Sequence, residues 1–251
     1  MSPVVVERVD VAGVPVDPVS MAEAVNAVQR WIRGQDRRVA VGVNAHVVNL
    51  AATDGDLAAR LRRVDLAYPD GQSVVWACRL LGAAAPERVA TTDLIHPLAA
   101  MCAGESAGMY FFGGRPGVAA RAASRLRDRE PTLRIDVHHG YIDPGETPAI
   151  IEDINASGAA VLLVGLGDPL QQHWVAQHRA ELRPPVVLTC GGLFDWVSGD
   201  NRRPPDWIVR AGLEWSWRLL HEPRRLAHRY LVGNPAFVAR VVAAQLVRQR
   251  V

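Results

Sequence analysis

The stretch Val161 to Trp174, VLLVGLGDPLQQHW, constrains the fold more than any other part of the chain. A short, uninterrupted apolar run marks a strand buried on both faces, the habit of parallel sheets covered by helices. Gly165 and Gly167 then allow a sharp turn and a close backbone approach, Asp168 suits a helix cap, and Pro169 suits a first helical position. The expected product is a helix N-terminus aimed at a crevice. Its free N–H groups and dipole favour a phosphate or diphosphate, which makes a nucleotide the first ligand to consider. The dinucleotide pattern G-x-G-x-x-G is broken because Leu170 stands at the third glycine position, and this disfavours a nicotinamide-dependent oxidoreductase.

The same alternation runs through the rest of the chain. Ser20 and Glu23 form a capping box ahead of helical spacing from Met21 to Gly34, and Arg38 to Val43 reads as a strand ending at Asn44. Asp65 to Tyr68 reads as a short strand that delivers Asp70 into a Pro-Asp-Gly turn, followed by an apolar helix over Val74 to Leu81. Met109 to Phe112, Leu133 to Val137 and Val186 to Thr189 are further strands. Val118 to Leu126 is a helix, another opens with Thr147 as cap and Pro148 at its first position, and the helix after Pro169 reaches Leu182. Strands separated by helices of about a dozen residues predict a Rossmann-like parallel α/β sheet. A single α/β domain with an appendage suits 251 residues as well as two small domains do; the pattern places the core at 1–200 and a basic helical appendage at 201–251.

Charge sharpens that division. The formal balance of +2 conceals roughly +7 after residue 200 and about −5 before it. No apolar run approaches the ~18 residues that span a bilayer, and the N-terminus lacks a basic segment ahead of an apolar one, so the expected location is cytoplasmic. Cys78, Cys102 and Cys190 are distant from one another and lie in apolar surroundings, which suits reduced core thiols.

Several polar residues have two readings each. Asp54-Gly-Asp56 resembles a metal-diphosphate D-x-D pair but equally caps the helix that follows. His138 and His139 are adjacent, yet neighbours on an extended chain point apart, and no further ligand stands at metal-site spacing. Asp70 is ordinary turn chemistry or a working carboxylate. Arg88 fits a phosphate or an ion pair with Glu87 or Asp93. In the C-terminal segment, Trp207, Trp215, Trp217, Tyr230 and Phe237 interleave with Arg residues, which suits either a membrane interface or a helical cap on the core. No nucleic-acid recognition fold accompanies the excess Arg.

Taken together, VGVNAHVVNLA from Val41, YPDGQSVVWACRLLG from Tyr68, ERVATTDL from Glu87, YFFGGRPGVA from Tyr110, the Val161 stretch, and the block from Gly191 to Pro235 occur in the order found in the WecG/TagA/CpsF family. The chain resembles that family of bacterial glycosyltransferases over most of its length. The resemblance implies an inverting, metal-independent transfer from a UDP-sugar, of N-acetylmannosamine or glucose type, to a polyprenyl-diphosphate-linked sugar at the inner face of the membrane. It needs no cofactor. The implied partners are the UDP-sugar, the lipid-linked acceptor and an anionic membrane surface, with a homo-oligomer also considered. Matched residue by residue, Asp70 is the general base. The donor side comprises Asn44, Arg88, Gly165, Gly167 and Gln171, and the acceptor diphosphate and membrane are faced by Arg218, Arg225 and Arg229. The chain departs from the family pattern at Gly42, Thr91, Leu170, Gln172 and His228. Those departures keep two alternatives open: a transferase with a specialised non-lipid acceptor, and a non-catalytic nucleotide-sugar-binding protein.

Overall fold

The computed structural model describes residues 7–83, 87–201, 205, 208, 214–221 and 226–248. A short antiparallel hairpin, β1 (Val9–Val11) and β2 (Val14–Val16), opens the chain. The main sheet contains β3 (Arg38–Val43), β4 (Leu66–Pro69), β5 (Met109–Gly113), β6 (Ile135–His138), β7 (Val161–Gly165) and β8 (Val186–Thr189). These six strands are parallel, in the spatial order β4-β3-β8-β7-β5-β6. The expected Rossmann-like α/β architecture is therefore present.

Strand alternation divides the core into two faces. Met109 and Phe111 of β5, Val161 and Leu163 of β7, and Leu66 and Tyr68 of β4 pack with α1 (Met21–Gly34), α5 (Thr91–Gly104), α6 (Val118–Arg127) and α9 (Leu193–Val197). The intervening residues point the other way. Tyr110, Phe112, Leu162 and Val164 meet α7 (Thr147–Ala156) and α8 (Leu170–His178). Val41, Val43 and Ala67 meet the hairpin, α2 (Ala45–Ala51), α3 (Gly55–Leu61) and α4 (Gln72–Leu80). A period of two on a doubly covered sheet makes both sets apolar, which explains why β5 and β7 read as continuous hydrophobic runs.

The C-terminal helix (Gly233–Arg248) buries Phe237 and Val241 in the same cluster as Val47 and Val48 of α2. Asn49 Nδ2 also donates to the carbonyl of Gly233 at 2.6 Å. The last helix is thus fastened to the sheet's α2 side by apolar burial and one side-chain hydrogen bond.

Several local expectations differ from the structure. Helix α5 was not legible because Pro97 sits inside it and reads as a breaker. Thr147 lies within α7 rather than capping it, after a short 3-10 turn whose own capping box is Asp143 and Glu146. Asp168 does not cap α8, Pro169 precedes the helix, and α8 stops at His178, short of Leu182. Strand β6 spans Ile135–His138, where Leu133 to Val137 was expected. The opening hairpin adds an element that short Val-rich segments broken by Pro15 did not announce.

All three cysteines are free and buried. Burial pushes the Cys78 and Cys102 thiols up to about 11 and about 12, and Cys190 well above its ordinary value. Thiolate is the reactive form, so iodoacetamide at pH 8 is expected to leave all three unmodified in the folded protein and to label them after denaturation. Rapid labelling of the native chain, read by mass spectrometry, would contradict this burial.

Candidate active site

A cleft of about 1040 Å³ opens outside the carboxyl ends of β3, β4, β7 and β8, where open α/β sheets gather ligand-binding groups. Four of its walls come directly from strand ends. Asn44 follows β3, Asp70 follows β4, Gly167 and Asp168 follow β7, and Cys190 follows β8.

Asn44 is the N-cap of α2, its Oδ1 accepting from the backbone N–H groups of His46 and Val47 at 3.0 and 3.2 Å. Capping fixes the amide, so that Nδ2 lies 3.4 Å from Asp70 Oδ2. Asp70 Oδ1 accepts two shorter bonds, from the Thr91 backbone N–H at 2.7 Å and the Thr91 hydroxyl at 2.8 Å. Ala90 offers α5 no side-chain cap, and Asp70 supplies that function from another element. A carboxylate is well placed there because the helix dipole favours negative charge.

Arg88 lines the cleft and its Nη2 donates to Asp93 Oδ2 at 3.2 Å. Of its two candidate ion-pair partners, Asp93 is the one engaged; Glu87 instead accepts from the backbone N–H of Met21. Gln171 is almost wholly buried, at 3% exposure. Its Nε2 donates to Asp168 Oδ1 at 2.7 Å and its Oε1 accepts from the Gly191 N–H at 2.9 Å. This side chain locks the turn after β7 to the turn after β8. Gln172 Nε2 also donates to Asp168 Oδ1, at 2.6 Å, so one carboxylate oxygen gathers both glutamine amides.

The two glycines of the Val161 stretch have different positions. Gly167 lines the cleft in the left-handed region, with φ of +82°, where a side chain is disfavoured. Gly165 is not among the cleft-lining residues. A Cβ there would come within 2.8 Å of the Gly191 carbonyl oxygen and 2.9 Å of the Phe194 ring. Its bareness serves the packing of β7 beneath the cleft.

Arg229 reaches the cleft from the π-helical turn His228–Val232, beside Tyr230. Its charge, after the larger effect of burial, holds the His46 imidazole below the ordinary histidine value, while Asp168 opposes the shift. Arg225 lies outside the described residues, as does the side chain of Arg218 within its helix Glu214–His221. The structure thus gathers Asn44, Asp70, Arg88, Gly167, Gln171 and Arg229 into one cleft.

Asp54 caps α3 through the Leu57 N–H at 2.9 Å and lies 3.2 Å from His173 Nε2. Neither Asp54 nor Asp56 lines the cleft. His138 Nδ1 meets the carbonyl of His139, and among the described residues no group of three or more His, Cys, Asp and Glu side chains is placed to hold a metal ion.

Sequence reasoning gave no site role to several lining residues, Thr91 among them, which stood out there only as a departure from the family pattern. Thr91 bonds to Asp70, His46 follows the Asn44 cap, and Trp76 and Leu80 of α4 line the same cleft as Val238 and Val242 of the C-terminal helix. Those last four are 45–57% exposed, and they give the cleft an exposed apolar lining. Helical spacing i, i+4 places each pair on one face, but only the fold brings both pairs to one cleft. Among the described residues, no helix is long and apolar enough to cross a membrane.

The model of the glycosyl transferase WecG/TagA/CpsF family matches residues 9–251. That span includes the hairpin, every strand of the sheet and the C-terminal helix. The chain belongs to the glycosyl transferase WecG/TagA/CpsF family and is a glycosyltransferase of cell-surface polysaccharide synthesis.

Proposed function

We propose that the protein is an inverting hexosyltransferase that moves a sugar of N-acetylmannosamine or glucose type from a UDP-sugar to a polyprenyl-diphosphate-linked sugar. The observation that carries this reading is the arrangement of Asp70. One of its oxygens is held by two donors on Thr91, and among the described residues the other meets the long Asn44 contact alone, in a cleft that also presents Arg88 and Arg229.

The chemistry follows from that arrangement. Asp70 Oδ2 takes the proton of the acceptor hydroxyl as its oxygen bonds to the anomeric carbon. The bond from that carbon to the diphosphate breaks on the opposite side, and its electron pair leaves with UDP. Arg88 offers a planar cation to the growing diphosphate charge. Gln171, Asp168 and Gly167 shape the donor side of the cleft, with Gln171 acting by holding two turns together. Gly165 supports that side from beneath through its contact with Phe194.

The exposed apolar lining suits an amphiphilic acceptor. Trp76, Leu80, Val238 and Val242 offer apolar surface in the same cleft as the cationic Arg229. In the sequence, the Arg-rich appendage from 201 to 251, including Arg218 and Arg225, adds positive charge beside aromatic residues. Such a surface is attracted to anionic lipid at about 1 kcal/mol per Arg. This reading places the protein peripherally on the inner face of the cell membrane. Arg229→Ala is expected to weaken binding to anionic vesicles about fivefold at low salt, measured by co-sedimentation. Unchanged sedimentation would remove Arg229 from the membrane surface.

The direct test incubates the protein with a panel of UDP-sugars and a polyprenyl-diphosphate-linked acceptor in vesicles. Release of UDP with an inverted glycosidic bond in the lipid product supports the reading. UDP binding by calorimetry with no transfer from any donor would overturn it in favour of a nucleotide-sugar-binding protein.

A further inference from the structure

We propose that Thr91 is a positioning residue for Asp70, and that β3 carries glycine at position 42 because the Thr91 hydroxyl occupies the space a side chain would need. The inference rests on Asp70 acting as the base.

The hydrogen-bond directions follow from proton counting. An ionised carboxylate only accepts, and a threonine hydroxyl has one proton to give. Thr91 Oγ1 lies 2.8 Å from Asp70 Oδ1, so its proton goes there. Tyr68 Oη, 2.9 Å from Thr91 Oγ1, must then be the donor of that bond. Burial first, and the Asp70 charge second, push the Tyr68 phenol well above the ordinary tyrosine value, so it keeps its proton and stays a donor. The result is a chain from Tyr68 through Thr91 to one oxygen of Asp70. It pins the carboxylate by that oxygen and leaves Oδ2 for the incoming proton.

Gly42 completes the argument from the neighbouring strand. A Cβ at this position would sit 3.0 Å from Thr91 Oγ1, 3.1 Å from Asp70 Cβ and 3.1 Å from Tyr68 Cε2. It would press on all three members of the chain at once. A glycine inside a strand often marks such a close approach. Positions 42 and 91 therefore compete for one volume beside Asp70, and a hydroxyl placed on β3 reaches that volume only when the Thr91 side chain is absent.

A plain capping role for the Asp70 and Thr91 pair is separable from this. Thr91→Val keeps the backbone N–H that α5 presents to Asp70, and removes only the hydroxyl. Thr91→Val is expected to lower kcat about tenfold or more, with donor KM changed less than about twofold and circular dichroism unaltered. Thr91→Ser should retain most of the activity. The decisive variant moves the hydroxyl: Gly42→Ser combined with Thr91→Gly should be several-fold more active than Thr91→Gly alone. Wild-type kcat in Thr91→Val, or no gain in the double variant over Thr91→Gly, would overturn the proposal. Asp70→Asn measured alongside separates the two levels. If that variant is inactive while Thr91→Val is unimpaired, the positioning role fails and the base remains; if Asp70→Asn is fully active, the base assignment itself fails.

Discussion

Asp70→Asn is expected to lower turnover by about 100- to 10,000-fold while leaving UDP-sugar affinity nearly intact. The amide keeps the shape of the side chain, so it can still meet the Thr91 N–H at the start of α5. It cannot accept the acceptor's proton as a carboxylate does. The fall should therefore appear in kcat, with donor affinity measured by calorimetry as the control for folding and for an intact cleft. Full activity in this variant would transfer the base to another group in the cleft, and the proposed mechanism would fall with it.

Gly165→Ala is expected to cost about 1–3 kcal/mol of stability, read as a lower denaturant midpoint with unchanged slope. The added methyl would lie 2.8 Å from the Gly191 carbonyl oxygen and 2.9 Å from the Phe194 ring, and the first of these is backbone that moves only with its strand end. The same turn carries the Gly191 N–H that Gln171 holds. A stability loss accompanied by weaker donor binding would fit transmission through this contact. An unchanged midpoint with abolished donor binding would instead make Gly165 a direct ligand contact. Gly167 provides the comparison within the same turn, because among the described residues nothing lies within 4 Å of its Cβ position; alanine there meets backbone strain at φ of +82°.

These two variants also show how far the sequence alone can be read. The glycines of the Val161 stretch were visible as a pair with one purpose, a turn facing a ligand. The structure assigns Gly167 to the cleft and Gly165 to the packing beneath it. No spacing rule separates them, because the difference lies in which atoms of the turn after β8 and of α9 stand opposite. Asp168 has a similar history. As a residue before a helix it suits a cap, yet its carboxylate gathers the amides of Gln171 and Gln172. Gln171 in turn was expected to face the donor, and its two functional ends are engaged with Asp168 and Gly191.

What the sequence determined by itself was the alternation. Strands that are apolar at every position need cover on both faces, and segments of helical period between them supply it, so a parallel α/β sheet follows from local patterning alone. The same locality made the Asn44 and Asp70 positions legible, since each directly follows a strand and carboxyl ends of strands share one side of a parallel sheet. What only the tertiary structure decided was which side chains meet there. Gly42, Tyr68, Asp70 and Thr91 come from β3, β4, the turn beyond it and the start of α5, and they converge because β3 pairs with β4 while α5 packs on the same face as Tyr68. The C-terminal helix is likewise rich in apolar residues in any environment, but its seat on α2, through Phe237 and Val241, depends on a surface built by residues nearly 200 positions earlier. Hydrophobic periodicity acts over a few residues and survives in the sequence; complementarity between distant surfaces exists only once the chain has folded.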